Sequence, residues 1–76
     1  MIKSTNDASY KALIAHLRAA REAQGLSIRE LAGLLDENYL IVHRIETGEK
    51  KLTVQEFAQY CLALKLDPSE VVKLLL

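Results

Sequence analysis

One cysteine, one proline, three glycines and no tryptophan among 76 residues leave this chain few of the usual stabilising devices. Cys61 alone closes no intramolecular disulfide, and with His16 and His43 it makes none of the C-x-x-C or H-x-x-x-H spacings that hold zinc. Apolar packing must therefore carry the fold, and no metal or other cofactor is expected. Long apolar runs are also missing. Residues 40–42 and 74–76 fall far short of the ~20 needed to cross a bilayer, and the first seven residues lack a signal-like apolar centre. A soluble chain in the reducing cytoplasm is expected, with no membrane partner. Nor is there an excess of charge: ten Lys and Arg balance ten Asp and Glu, so no global field draws the molecule to a polyanion and any such site must be a local cluster.

What the chain does contain is enough for one small folded unit. Half its residues are apolar and 26% are charged, the composition of a globular rather than a disordered chain. Its length permits a single core. Alternating apolar and polar runs are absent, so the expected class is all-α. The start is polar, and residues 1–8 read as a flexible tail ahead of a single domain over 9–76.

Local signals delimit five helices. Leu13, Leu17 and Ala20 recur at helical spacing over residues 9–24, and Gly25 follows as the left-handed stop. Ser27-Ile28-Arg29-Glu30 is a capping box opening a second helix to about Leu35. Asp36-Glu37-Asn38 breaks the chain, and Asn38 caps a third helix over residues 39–47, with Val42 and Ile45 on one face and Gly48 as its stop. Thr53-Val54-Gln55-Glu56 opens a fourth through Lys65, whose buried stripe is Phe57, Tyr60 or Cys61, and Leu64. Asp67-Pro68-Ser69-Glu70 reads as a third capping box launching a final helix to Leu76. Helices this short persist only by packing on one another, which predicts a compact five-helix bundle.

Two short helices joined by a three-residue break, the second ended by glycine, have the spacing of a helix-turn-helix, a motif whose later helix enters the major groove of DNA. The residues that sharpen this are Leu26-Ser27, Glu30-Leu31-Ala32, Leu35, Val42, Arg44-Ile45-Glu46, Gly48 and Ala63-Leu64. Over residues 9–72 the chain closely resembles the Cro/phage-repressor (XRE) family. The resemblance implies a lambda-repressor-like five-helix domain that reads double-stranded DNA with its third helix, usually as a homodimer on a palindromic operator. It also places Arg21 and Glu46 opposite each other as a buried ion pair between helices one and three. Three positions depart from the pattern: Asp36 where glycine is usual, Glu37 where a small apolar residue often packs, and Ile28 where a phosphate-contacting glutamine is common. Asp36 tolerates a left-handed backbone at a penalty of ~1 kcal/mol.

A helical wheel with Val42 inward puts Ile45, Glu46 and Tyr39 toward the core and Leu40, His43, Arg44 and Thr47 outward. Arg44 suits the O6 and N7 acceptors of guanine, Leu40 a thymine methyl, and His43 a base or phosphate, with Tyr39 at the helix start beside them. Lys50 and Lys51 form the only adjacent basic pair and, with Ser27, Asn38 and Thr47, are the expected phosphate contacts. The amides opening helices two and four add anion contacts of a generic kind. Val72, Leu75 and Leu76 exceed what one terminal helix buries and are the expected dimer surface, unless they fold back on their own domain. No catalytic constellation and no small-molecule site appears. The competing reading is a protein-interaction module on the same fold, docking a partner through the apolar stretch 39–41.

Overall fold

The computed structural model describes residues 8–76, which fold into α1 (Ala8–Ala23), α2 (Ile28–Leu34), α3 (Tyr39–Glu46), α4 (Val54–Ala63) and α5 (Pro68–Val71). A 3-10 turn, Val72–Leu75, follows, and no strand occurs among the described residues. Residues 1–7 of the expected tail lie outside the described residues, and Ala8 is the first residue of α1.

Capping chemistry sets the starts. At α2, Ser27 Oγ accepts from the Glu30 amide (3.0 Å) while the Ser27 amide donates to Glu30 Oε1 (2.8 Å). Thr53 and Glu56 make the same reciprocal pair at α4, at 3.1 and 2.8 Å. The third box does not form. Asp67 Oδ1 is taken by the amide and hydroxyl of Ser69 (2.9 and 2.7 Å), and Glu70 turns forward to Lys73 Nζ (3.2 Å) instead of back to the cap. With only one turn of α-helix to extend from, the chain beyond Val71 tightens into the 3-10 turn rather than running on as helix to Leu76.

The ends share one device. After α1, α2, α3 and α4 the residues in left-handed conformation are Gly25, Asp36, Gly48 and Lys65, with φ of 71, 53, 84 and 59°. Each is followed by an amide that reaches back five residues: Leu26 to Arg21 O, Glu37 to Ala32 O, Glu49 to Arg44 O and Leu66 to Cys61 O, at 2.8–3.1 Å. These are Schellman closures, which satisfy carbonyls the helix leaves open. Two of the four are made without glycine. Lys65 therefore lies beyond α4, contrary to the sequence reading, and Leu66 behind it packs against the core as the apolar partner such closures favour.

The core joins all five helices: Leu13, Ile14 and Leu17, Leu31 and Ala32, Val42 and Ile45, Tyr60 and Cys61 with Leu64, and Val71. Phe57, expected in the α4 stripe, is half-buried against it. The Tyr60 hydroxyl is buried with no hydrogen-bond partner among the described residues. Burial foremost, and then the charge of Glu46, pushes its pKa far above the ordinary tyrosine range, so it stays neutral.

A buried ion pair crosses this core. Arg21 Nε and Nη2 donate to Glu46 Oε2 and Oε1 (2.7 and 3.0 Å), and Nη1 donates to the Leu26 carbonyl (2.7 Å). The two side chains are 9% and 7% exposed. A bidentate fork with a third donor engaged is the geometry that offsets the desolvation of two charges. The hydrogen bond to Glu46 is the chief reason the guanidinium holds its proton even more firmly than usual. Glu46→Ala should therefore destabilise the domain by about 3–5 kcal/mol, because it strands a buried guanidinium, whereas Arg21→Met with Glu46→Leu should recover much of that loss. Urea unfolding followed by circular dichroism measures both; a double variant no more stable than the single would contradict this account.

Candidate nucleic-acid interface

The turn between α2 and α3 is fixed before α3 begins. Asp36 carries the left-handed φ of 53°, a conformation that Asp adopts more readily than most residues. Asn38 then closes α3: its Oδ1 accepts from the Leu40 amide (2.8 Å), and its own amide donates to Glu37 Oε1 (3.0 Å). At the far end the Arg44 carbonyl accepts from Thr47 Oγ1 (3.1 Å) and from the amides of Glu49 (2.8 Å) and Lys50 (3.1 Å). The helix is thus clamped at both ends.

Its sides divide cleanly. Val42 and Ile45 are buried, and Glu46 is held by Arg21. Leu40, His43, Arg44 and Thr47 are exposed, Leu40 at 45%. Tyr39 departs from the wheel. It is 38% exposed rather than on the core side, and the Arg29 guanidinium carbon from α2 lies 3.9 Å from its ring centroid. First-turn side chains lean back over the turn that precedes the helix, which brings Tyr39 to α2 instead of the interior.

The polar groups around α3 differ in what they have left to offer. Ser27 Oγ accepts from Glu30 and Asn38 Oδ1 accepts from Leu40, so the serine hydroxyl proton and the asparagine amide N–H groups remain as donors. The Thr47 hydroxyl proton already goes to Arg44 O. The basic pair also splits. Lys50 Nζ sits between the two oxygens of Glu56 at 3.0 and 2.9 Å and also reaches Lys51 O at 3.3 Å. Exposed Lys51 lies with its Nζ 4.3 Å from the Tyr10 ring centroid, and the Tyr10 hydroxyl accepts from the Leu52 amide (3.1 Å), anchoring the loop on α1. Tyr10 and Arg29 were not marked by the sequence reading. Both act across helices, at separations no local spacing encodes.

The surface assembled here is an exposed helix face with a guanidinium and an imidazole, flanked by a stacked Arg29 and by Lys51. Such a face offers donors to base edges from the helix and cations to a backbone from its rim. Among the described residues no group of His, Cys, Asp and Glu could hold a metal, and no helix is long and apolar enough to cross a membrane. The family described as "Helix-turn-helix domain" matches residues 12–74. No curated protein and no solved structure matches the chain significantly.

Glu56 links this surface to stability. The Thr53 amide first, and Lys50 next, hold its carboxyl below the ordinary glutamate range. The caps Glu30 and Asp67 are lowered in the same direction by the hydrogen bonds they accept, from Ser27 and Ser69. A depressed folded pKa contributes stability above the unfolded pKa, and that contribution is lost as pH falls through the folded value. Acidification through and below the normal carboxylate range should therefore unfold the domain progressively. Glu56→Gln should be less stable at neutral pH yet show a shallower acid limb in thermal melts taken across pH; an unchanged slope would count against the assignment.

Proposed function

We infer that this chain, which belongs to the helix-turn-helix domain family of the Cro/XRE-like type, is a sequence-specific regulator of transcription that binds double-stranded DNA. It acts as a repressor, in the form of a homodimer on a palindromic operator. The observation that supports this most is the division of α3: its inner side is locked by Val42, Ile45 and the Glu46–Arg21 fork, while Leu40, His43 and Arg44 face solvent together. A helix so held presents its outer face as a rigid edge to the major groove.

Roles follow from the chemistry each exposed side chain carries. Arg44 forks onto guanine O6 and N7, Leu40 packs on a thymine methyl, and His43 donates to a base or phosphate. Ser27 and Asn38 donate to phosphate from the caps of α2 and α3. Thr47 and Lys50 belong to the rim chiefly by shaping the turn, since their donors are engaged within the domain; Lys51, exposed beside the Tyr10 ring at the end of the same loop, supplies phosphate charge. The exposed Leu40 also suits a protein-docking helix, and salt separates the two readings: duplex affinity falls steeply with ionic strength, whereas an apolar dock barely responds.

Arg44→Ala should relax base preference at one position of each half-site and weaken the preferred sequence by about 1–3 kcal/mol. Lys51→Ala should weaken all duplexes alike and make the salt slope shallower by about one. Selection from a random duplex pool, followed by titration at two salt concentrations, reads both; uniform losses from both variants would contradict the division of roles.

The homodimer rests on the chain end. Val72 and Leu75 line an apolar groove of about 400 Å³ with Leu13 and Phe57, yet remain 37% and 42% exposed, and Leu76 is 96% exposed. Only part of this surface folds back on its own domain, and a second copy across a two-fold axis would cover the remainder. Two reading helices would then sit about 34 Å apart, one helical turn of DNA. Sedimentation equilibrium should give twice the 8.5 kDa chain mass, and Leu75→Glu should return it to the monomer mass; a wild-type monomer at every concentration tested would remove the dimer.

A further inference from the structure

The Arg29 and Tyr39 contact joins α2 to the reading edge through two side chains that lie outside the core. Both residues are exposed, and the guanidinium carbon lies 3.9 Å from the ring centroid, close enough for the flat faces to stack. No acceptor among the described residues takes the guanidinium N–H groups, and no carboxylate pairs with Arg29. Arg29 follows Ile28 in the first turn of α2, and Tyr39 is the first residue of α3. The stack therefore bridges the starts of the two helices, across the turn bent at Asp36.

We propose that Arg29 is a positioning residue for base reading: by lying on the Tyr39 ring it fixes the direction of the phenol at the head of α3, and the pair reads one base pair at the edge of each half-site as a unit. This rests on the DNA-reading function inferred above. An aromatic ring on an exposed first turn has several rotamers, and a donor that wanders among them discriminates poorly. A planar cation on one face selects one of them. The phenol is then both donor and acceptor at a defined place, which is what a base edge requires. Lysine carries the same charge but not the plane, so charge and stacking separate by substitution.

The test is selection from a random duplex pool with wild type, Arg29→Ala, Arg29→Lys, Tyr39→Ala and the double alanine variant, with salt titrations of each. Arg29→Ala and Arg29→Lys should both lose discrimination at the same single base pair as Tyr39→Ala, by about fivefold or more. Arg29→Lys should keep the wild-type salt slope. Adding Arg29→Ala to Tyr39→Ala should reduce the preference no further, as expected of two residues that act together. A uniform loss of affinity with preference intact would mark Arg29 as a backbone contact only and overturn the proposal, as would full retention of preference in Arg29→Lys. In the free protein the Arg29 Hδ protons should be shifted upfield by the ring, and lose that shift in Tyr39→Ala. Absence of the shift refutes the stack whether or not DNA binds, while failure of the wild type to bind any duplex removes the function beneath it.

Discussion

A charged fork orients α3 against the rest of the molecule. α2 and α3 are barely two turns each, too short to persist alone in water, and the apolar contacts of Val42 and Ile45 are not directional. The Arg21 guanidinium supplies direction: it grips Glu46 at the last turn of α3 and the Leu26 carbonyl at the entry to α2. One side chain of α1 thereby fixes where α2 begins and where α3 ends. The angle between the two helices, and hence the tilt of the outer face of α3, depends on that side chain staying charged and enclosed.

The neutrality of the chain hides an uneven use of charge. Most of its carboxylates act within the domain: Glu30, Glu56 and Asp67 close helix starts, Glu37 receives the Asn38 amide, and Glu22, Glu46 and Glu70 pair with Arg18, Arg21 and Lys73. Arg29 and Arg44 have no carboxylate partner among the described residues. A zero sum is therefore compatible with a locally cationic edge, because the negative charge is drawn into caps while part of the positive charge is left outward.

Much of the fold was legible because helix ends are written locally. Ser27, Asn38 and Thr53 as starts, and Gly25 and Gly48 as stops, act within a few residues of themselves, and each lies where the sequence places it. Lys65 was not legible as a stop, since nothing in a lysine announces a left-handed backbone and the closure there depends on where Leu66 finds the core. The Asp67 segment misled because Ser69 offered a nearer partner for the cap and Lys73 a charged one for Glu70. At the site, the exposed face of α3 followed from helical period alone. The partners of its rim did not: Arg29 on Tyr39, Lys50 on Glu56 and Lys51 on Tyr10 join separate elements. The meeting of Arg21 with Glu46, 25 residues apart, came from likeness to a family and not from any spacing.

The lone thiol lies at the centre of this arrangement. Cys61 has no exposed surface, and burial raises its pKa, so as long as the helices stay together it is both shielded and poorly nucleophilic. It belongs to a core to which every helix contributes, so a reagent reaches it only when that packing opens. The rate at which an alkylating reagent consumes that sulfur is thus a clock for the opening of the core. The molecule carries its own reporter of core opening, with no label to introduce.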